Sequence, residues 1–262
     1  MRDYSSISPS AKSLLLVKAQ TELPYARAAA EMLFGAEAVQ AAARETSASP
    51  GAALRVRHFE ARARSLDRAL SELGERNVIE VAAGMSFRGL LMAAEEGVFY
   101  LDTDLPAIAD IKAELAARLH PGPLAGTLAI RALDALDAAA FRAAVGEMPP
   151  GPICIVHEGL LMYLDAAEKT HLAGSVRDAL LERGGAWVTA DIYVKSAVPV
   201  YREERTKAFL ERHKVDDNKF DDWAAAEAFF AGCGFDVKSR DPVAGDPWRV
   251  RETWVLGATL AS

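Results

Sequence analysis

Cysteine is scarce: Cys154 and Cys233 are the whole complement of 262 residues. Neither belongs to a C-x-x-C pair, and Cys154 falls inside an apolar run. A disulfide framework and a cysteine-built zinc site are both disfavoured, and a reducing cytoplasm is the default compartment. Long apolar runs are missing as well. The segment MRDYSSISPSAKSLLLVKAQ holds only Leu14 to Val17, too short for a signal-peptide core or a membrane span. Positive charge is in deficit, with 30 Lys and Arg against 37 Asp and Glu and a formal net charge of −7. No long basic run interrupts it, so neither nucleic acid nor an anionic membrane is an expected partner. His58, His171 and His213 are scattered without metal-ligand spacing. The pairs Asp216-Asp217 and Asp221-Asp222 read as solvated loop charges, so no metal is expected.

What is present is a globular composition, 51% hydrophobic, on a chain long enough for a sizeable core. Strand patterns fall at Asn77–Ala83, Val98–Asp104, Leu128–Asp134, Ile153–Glu158, Ala186–Ile192, Asp236–Arg240 and Arg251–Leu260. Helical patterns lie between them. Pro106 suits a first helical position, and Ile108, Ile111, Leu115 and Leu119 recur at helical spacing. Asp165 is a natural N-cap for a helix that ends at Gly184. This alternation predicts a parallel sheet covered on both faces. The last two strands are joined by the loop DPVAGDPW, which predicts an antiparallel pair. One domain spans 1–262: a helical cover (1–73, broken at TSASPG), a core (74–192), a charged helical insertion (193–225) and C-terminal strands (226–262).

The stretch NVIEVAAGMSFRG poses the chemical question. An apolar strand carries Glu80 and ends in a loop with a single glycine, Gly84. Phosphate-cradling loops need more glycine than this. An acidic residue follows at Asp104, 20 positions on, about the spacing at which a carboxylate accepts a ribose diol. Asp102, two residues earlier on the same strand face, competes for that role. A ribose acceptor without a pyrophosphate loop suits an unphosphorylated nucleoside, of which S-adenosylmethionine is the common example. Glu80 then either faces the ligand's ammonium group or pairs with Arg88 across the loop.

Four motifs in order resemble the leucine carboxyl methyltransferase family, including bacterial members of polyketide O-methyltransferase type. They are RHFEAR (57–62), EVAAGMSFRG (80–89), LDTDLPAIADIK (101–112) and VHEGLLMYL (156–164). The resemblance implies a Rossmann-like seven-stranded methyltransferase sheet, mostly parallel with an antiparallel last strand, plus helical cover segments. It implies S-adenosyl-L-methionine as cofactor, held by Lys18 and Arg57 at the carboxylate and by Gly84 under the methionine portion. It further places Asp104 at the ribose, Asp134 and Ala135 at the adenine, and Glu158 at the methionine end. The family's G-x-G reads Ala82-Ala83-Gly84 here, so close backbone approach is kept at one position only. The family's Asp-Leu pair reads Asp134-Ala135.

His157 ends the fourth strand and is a candidate general base for a hydroxyl acceptor; a hydrogen-bonded structural histidine is the competing reading. The function expected is O-methylation of a hydroxyl or carboxyl group on a small, polyketide-like molecule. The alternatives are a silent cofactor-binding protein, a protein carboxyl methyltransferase and a nicotinamide oxidoreductase, the last disfavoured by the missing glycines. Both cover segments are expected to close over the cofactor.

Overall fold

The structure is a computed structural model in which residues 8–195, 211 and 215–259 are described. Seven strands form one sheet in the order β3-β2-β1-β4-β5-β7-β6. They are β1 (Asn77–Glu80), β2 (Phe99–Asp104), β3 (Thr127–Ala132), β4 (Ile153–His157), β5 (Gly185–Thr189), β6 (Phe235–Pro242) and β7 (Glu252–Ala258). The first five are parallel, and β7 runs antiparallel to both β5 and β6. The expected fold class is therefore present.

Four amino-terminal helices precede the sheet: α1 (Ser8–Lys18), α2 (Ala26–Phe34), α3 (Ala36–Ala48) and α4 (Pro50–Leu73). The TSASPG break is the α3–α4 junction. There the Ser49 hydroxyl accepts from Ala52 N–H, Pro50 opens α4, and Gly74 at φ 67° closes it. Crossover helices follow: α5 (Arg88–Met92), α6 (Pro106–Leu119), α7 (Ala138–Gly146), α8 (Ala166–Arg183) and α9 (Trp223–Gly232). Asp165 and Glu168 form a capping box on α8.

Side-chain alternation splits the core. Ile79, Leu101, Ile155 and Trp187 face α7, α8 and α9, packing on Phe141, Leu172, Val176 and Phe230. Val78, Tyr100, Cys154, Val156 and Val188 face α4, packing on Leu66 and Leu70. Leu15, Ala29, Ile108 and Leu115 tie α1, α2 and α6 together beside the first loop.

β1 is shorter than its apolar run because Ala82 turns to φ 51°, which no strand residue adopts. β4 likewise stops at His157, since Gly159 at φ 80° turns the chain. Within the charged insertion, Val194 bridges to Phe220, and α9 begins at Trp223. The helical expectation for 196–210 and 212–214, and the last residues of the seventh strand expected to end at Leu260, lie outside the described residues. No helix among the described residues is long and apolar enough to cross a membrane.

Candidate functional site

The carboxyl ends of β2, β1, β4 and β5 and the start of β7 line one edge of the sheet, where ligands of such sheets bind. From β2 to β7 they present Asp104, Gly84, Glu158, Asp191 and Arg251 in turn.

At the centre is a buried ion network. Glu158 leaves β4 on the α4 face and meets Arg62 at 2.9 Å and Lys18 at 3.2 Å through one oxygen. Its other oxygen lies 3.6 Å from Arg88. Arg88 also pairs with Glu80 and Asp67, and the Tyr100 hydroxyl donates to Glu80 at 2.7 Å. Three cations thus face three carboxylates. Burial alone would push the Glu158 carboxyl up, but Lys18, Arg62 and Arg88 outweigh it and hold it well below the usual carboxylate range. Burial lowers Lys18, against the pull of Glu158. A small open pocket lies among Lys18, Met85, Ser86, Arg88 and Glu158.

The first loop is closed by Asp104, whose carboxylate accepts from Gly84 N–H at 2.6 Å and from Leu105 N–H at 2.7 Å. Burial raises this carboxyl, against those two N–H donors. Asp102 is occupied elsewhere: it is 2% exposed and pairs with Lys112 at 2.5 Å. Asp134 and Ala135 follow β3 on the same edge, where Asp134 accepts from Leu136 N–H at 2.9 Å.

Past Glu158 the edge becomes aromatic. Arg62 donates to the Tyr193 hydroxyl at 3.1 Å, and the Arg251 guanidinium lies on the Tyr193 ring. Asp191 accepts from Leu161 N–H at 2.5 Å, and burial pushes its carboxyl up to about 6, opposed by Arg62 and Arg251. His157 points to the other face, its ring centroid 5.6 Å from that of Trp187 and its Nδ1 3.7 Å from Asp191. Burial, helped by the charge of Arg62, pulls His157 down to about 3. His58 is buried on α4 against Asp246 at 2.8 Å, and burial lowers it to about 4 despite that partner.

The structure gathers Lys18, Gly84, Asp104 and Glu158 on one edge and gives three other expected residues different surroundings. Arg57 is exposed on the outer face of α4; Arg62, five residues later, reaches the edge instead. Glu80 is 0% exposed and spent on Arg88 and Tyr100, so the loop pairing holds and no ammonium contact is needed to explain it. His157 is 1% exposed on the face away from Glu158, so its strand-end position gives the base role no support. Arg62, Asp191, Tyr193 and Arg251 were not singled out from the sequence. Arg62 was legible, since it shares the α4 stripe of His58, Leu66 and Ala69.

The family profile described as leucine carboxyl methyltransferase matches residues 8–177. The chain belongs to the leucine carboxyl methyltransferase family. Two Mycobacterium sp. proteins, of strains KMS and JLS, have names that propose S-adenosyl-L-methionine-dependent methyltransferases. Each is 27% identical over 170 residues, 60% of this chain and 57% of theirs. This chain thus matches a little over half the length of those curated relatives. Among solved structures, the N,N-8-amino-8-demethyl-D-riboflavin dimethyltransferase of Streptomyces davawensis aligns over 98% of this chain and 71% of its own. The TM-score is 0.50 and the identity 18%, a likeness of fold alone. The family match spans α1 through most of α8, and so includes Lys18, Arg62, Gly84, Asp104 and Glu158 but not Asp191, Tyr193 or Arg251.

Proposed function

We propose that the protein is an S-adenosylmethionine-dependent O-methyltransferase acting on a small molecule, polyketide-like in size and character. The observation that carries this reading is the division of labour between two carboxylates on β2. Asp102 is buried on Lys112, while Asp104 stands at the rim against Gly84 N–H. A ribose diol at Asp104 takes up the acceptor capacity left on its oxygens. Lys18 and Arg62 then turn from Glu158 to the ligand's carboxylate, and the freed Glu158 faces its ammonium group. Asp134 and Ala135 border the adenine. The ion network fits this cofactor because it already holds a carboxylate between Lys18 and Arg62.

The bound cofactor would supply a methyl group made electrophilic by a sulfonium. The chain's own part is to align an oxygen nucleophile and exclude water. A carboxylate acceptor is ionised near neutral pH and needs no base. The family name favours an acceptor carboxyl, and the second reading is a protein carboxyl methyltransferase. A silent binding protein is the third, and Ala82 in place of glycine is the feature that favours it.

Calorimetry with S-adenosylmethionine, S-adenosylhomocysteine and NAD tests the cofactor, followed by transfer of labelled methyl to a panel of hydroxyl and carboxyl acceptors. Binding of NAD but neither sulfur nucleoside sinks the reading. Binding without transfer to any small acceptor favours the silent protein.

A further inference from the structure

Arg251 is a buried cation to which the described residues offer no ion pair. It is 7% exposed, its Nε has no hydrogen-bond partner, and its guanidinium rests on the Tyr193 ring. Asp191 and Asp246 attract it, but neither comes within ion-pair distance, and a buried guanidinium held that loosely is costly. Its place in the sheet says which ligand would complete it. β7 runs antiparallel to β5 with Thr189 opposite Trp254, so the residue before β7 stands beside the carboxyl end of β5. Asp191 is at that end, and its Oδ1 also lacks a partner. Tyr193 divides the edge: its hydroxyl takes Arg62 from the Glu158 side, and its ring face takes Arg251.

We propose that Arg251, seated on Tyr193, selects an acceptor that carries a carboxylate. The guanidinium pairs with that carboxylate beyond Tyr193 from Glu158. A planar fork on a carboxylate is the strongest ion pair available to a side chain. Pairing also makes those oxygens poorer nucleophiles, so this carboxylate is the handle and a separate hydroxyl takes the methyl group. The acceptor class is a hydroxy acid. The word acceptor rests on the methyl-transfer reading; the carboxylate site does not.

The charged groups around Arg251 allow it. Arg62 is neutralised by Glu158. Asp246 is engaged by His58 and by the N–H groups of Trp248 and Val250. Asp191 is the group that opposes an incoming anion. Burial already pushes it up to about 6, so it can take a proton as the anion arrives.

Two probe pairs test this: 4-hydroxybenzoate with 4-hydroxybenzamide, and 3-hydroxydecanoate with its amide. Each is titrated into the purified chain by calorimetry, with S-adenosylhomocysteine affinity measured alongside. At least one acid should bind tenfold or more tighter than its amide. That preference should vanish in Arg251→Gln, persist in part in Arg251→Lys, survive Tyr193→Phe and fall in Tyr193→Ala. S-adenosylhomocysteine affinity should stay within about threefold in Arg251→Gln. Thermal unfolding of each variant separates lost folding from lost recognition. If neither acid outbinds its amide, or the preference survives Arg251→Gln, the proposal is overturned. An equal loss of S-adenosylhomocysteine binding in that variant would place Arg251 in the cofactor site and overturn it too. If S-adenosylhomocysteine does not bind the wild type, the methyl-transfer reading fails, and the acid-over-amide preference still decides for or against the carboxylate site.

Discussion

The Asp104 carboxylate holds the Gly84 N–H at 2.6 Å, so one side chain joins the end of β2 to the loop after β1. A ribose would add its donors to that same carboxylate. Asp104→Ala should weaken S-adenosylhomocysteine binding about 10- to 100-fold, measured by calorimetry. Asp102→Ala should behave differently. It strands Lys112 as a buried charge and should cost about 3–5 kcal/mol of stability in a urea titration. A selective loss of binding in Asp102→Ala with none in Asp104→Ala would reverse the assignment.

Arg57 and Arg62 are separated by about 140° around α4. Arg62→Ala removes a buried partner of Glu158 and Tyr193 and should both destabilise the fold and weaken binding of S-adenosylhomocysteine. Arg57→Ala should change stability by less than about 0.5 kcal/mol and leave that affinity unchanged. Equal effects at the two positions would mean that Arg57 reaches the ligand after all.

Glu158 should control acid sensitivity. Its folded carboxyl lies below the usual range, so its contribution is complete above the unfolded value and fades as pH falls below it. Wild-type stability should therefore drop between about pH 5 and 3. Glu158→Gln should lose about 3–5 kcal/mol at pH 7 and show a shallower acid decline. An unchanged pH slope in the variant would locate the titrating group elsewhere.

His157 should act on stability in the same direction and through a different range. Its folded value, about 3, lies under its ordinary 6.5. The unfolded chain binds an extra proton between those limits, so stability falls as pH drops below about 6.5. His157→Gln should flatten that part of the curve. Turnover should stay within about threefold of wild type, because the ring faces Trp187. A loss of about 10²–10⁴-fold on a hydroxyl acceptor, with cofactor affinity intact, would reinstate the base role.

Ala82 sits at φ 51°, where a Cβ costs about 1–2 kcal/mol. Ala82→Gly should keep or raise the melting temperature, and Ala82→Val should lower it. A clear loss on Ala82→Gly would show that the Ala82 methyl makes a packing contact worth more than the strain.

The strand segments and the capped helices were legible because apolar alternation, Asp165, Pro106 and Gly184 act locally. Asp104 was legible through its spacing from Gly84, whereas Glu158 and Asp134 were reached only through the family resemblance. Phase was the harder quantity. Choosing Arg62 over Arg57 needs the α4 stripe to be set by Leu66 and Leu70, which pack on strands far away in sequence. Glu80 read two ways until the position of Arg88 was known. Arg251 was invisible because its neighbours, Tyr193 and Asp191, lie about sixty residues upstream and meet it only through the β5–β7 pairing.

That pairing also sets a timetable for synthesis. β7 follows β6 in the chain yet lies between β5 and β6 in the sheet. Until Glu252–Ala258 has left the ribosome, β5 keeps an open hydrogen-bonding edge beside Trp187 and Val188, both 0% exposed in the finished protein. A nascent chain halted before that point carries a sticky, unpaired strand. Ribosomes stalled ahead of residue 252 should hold a chain that recruits holdase chaperones, and release should come only when the last strand slides into its slot.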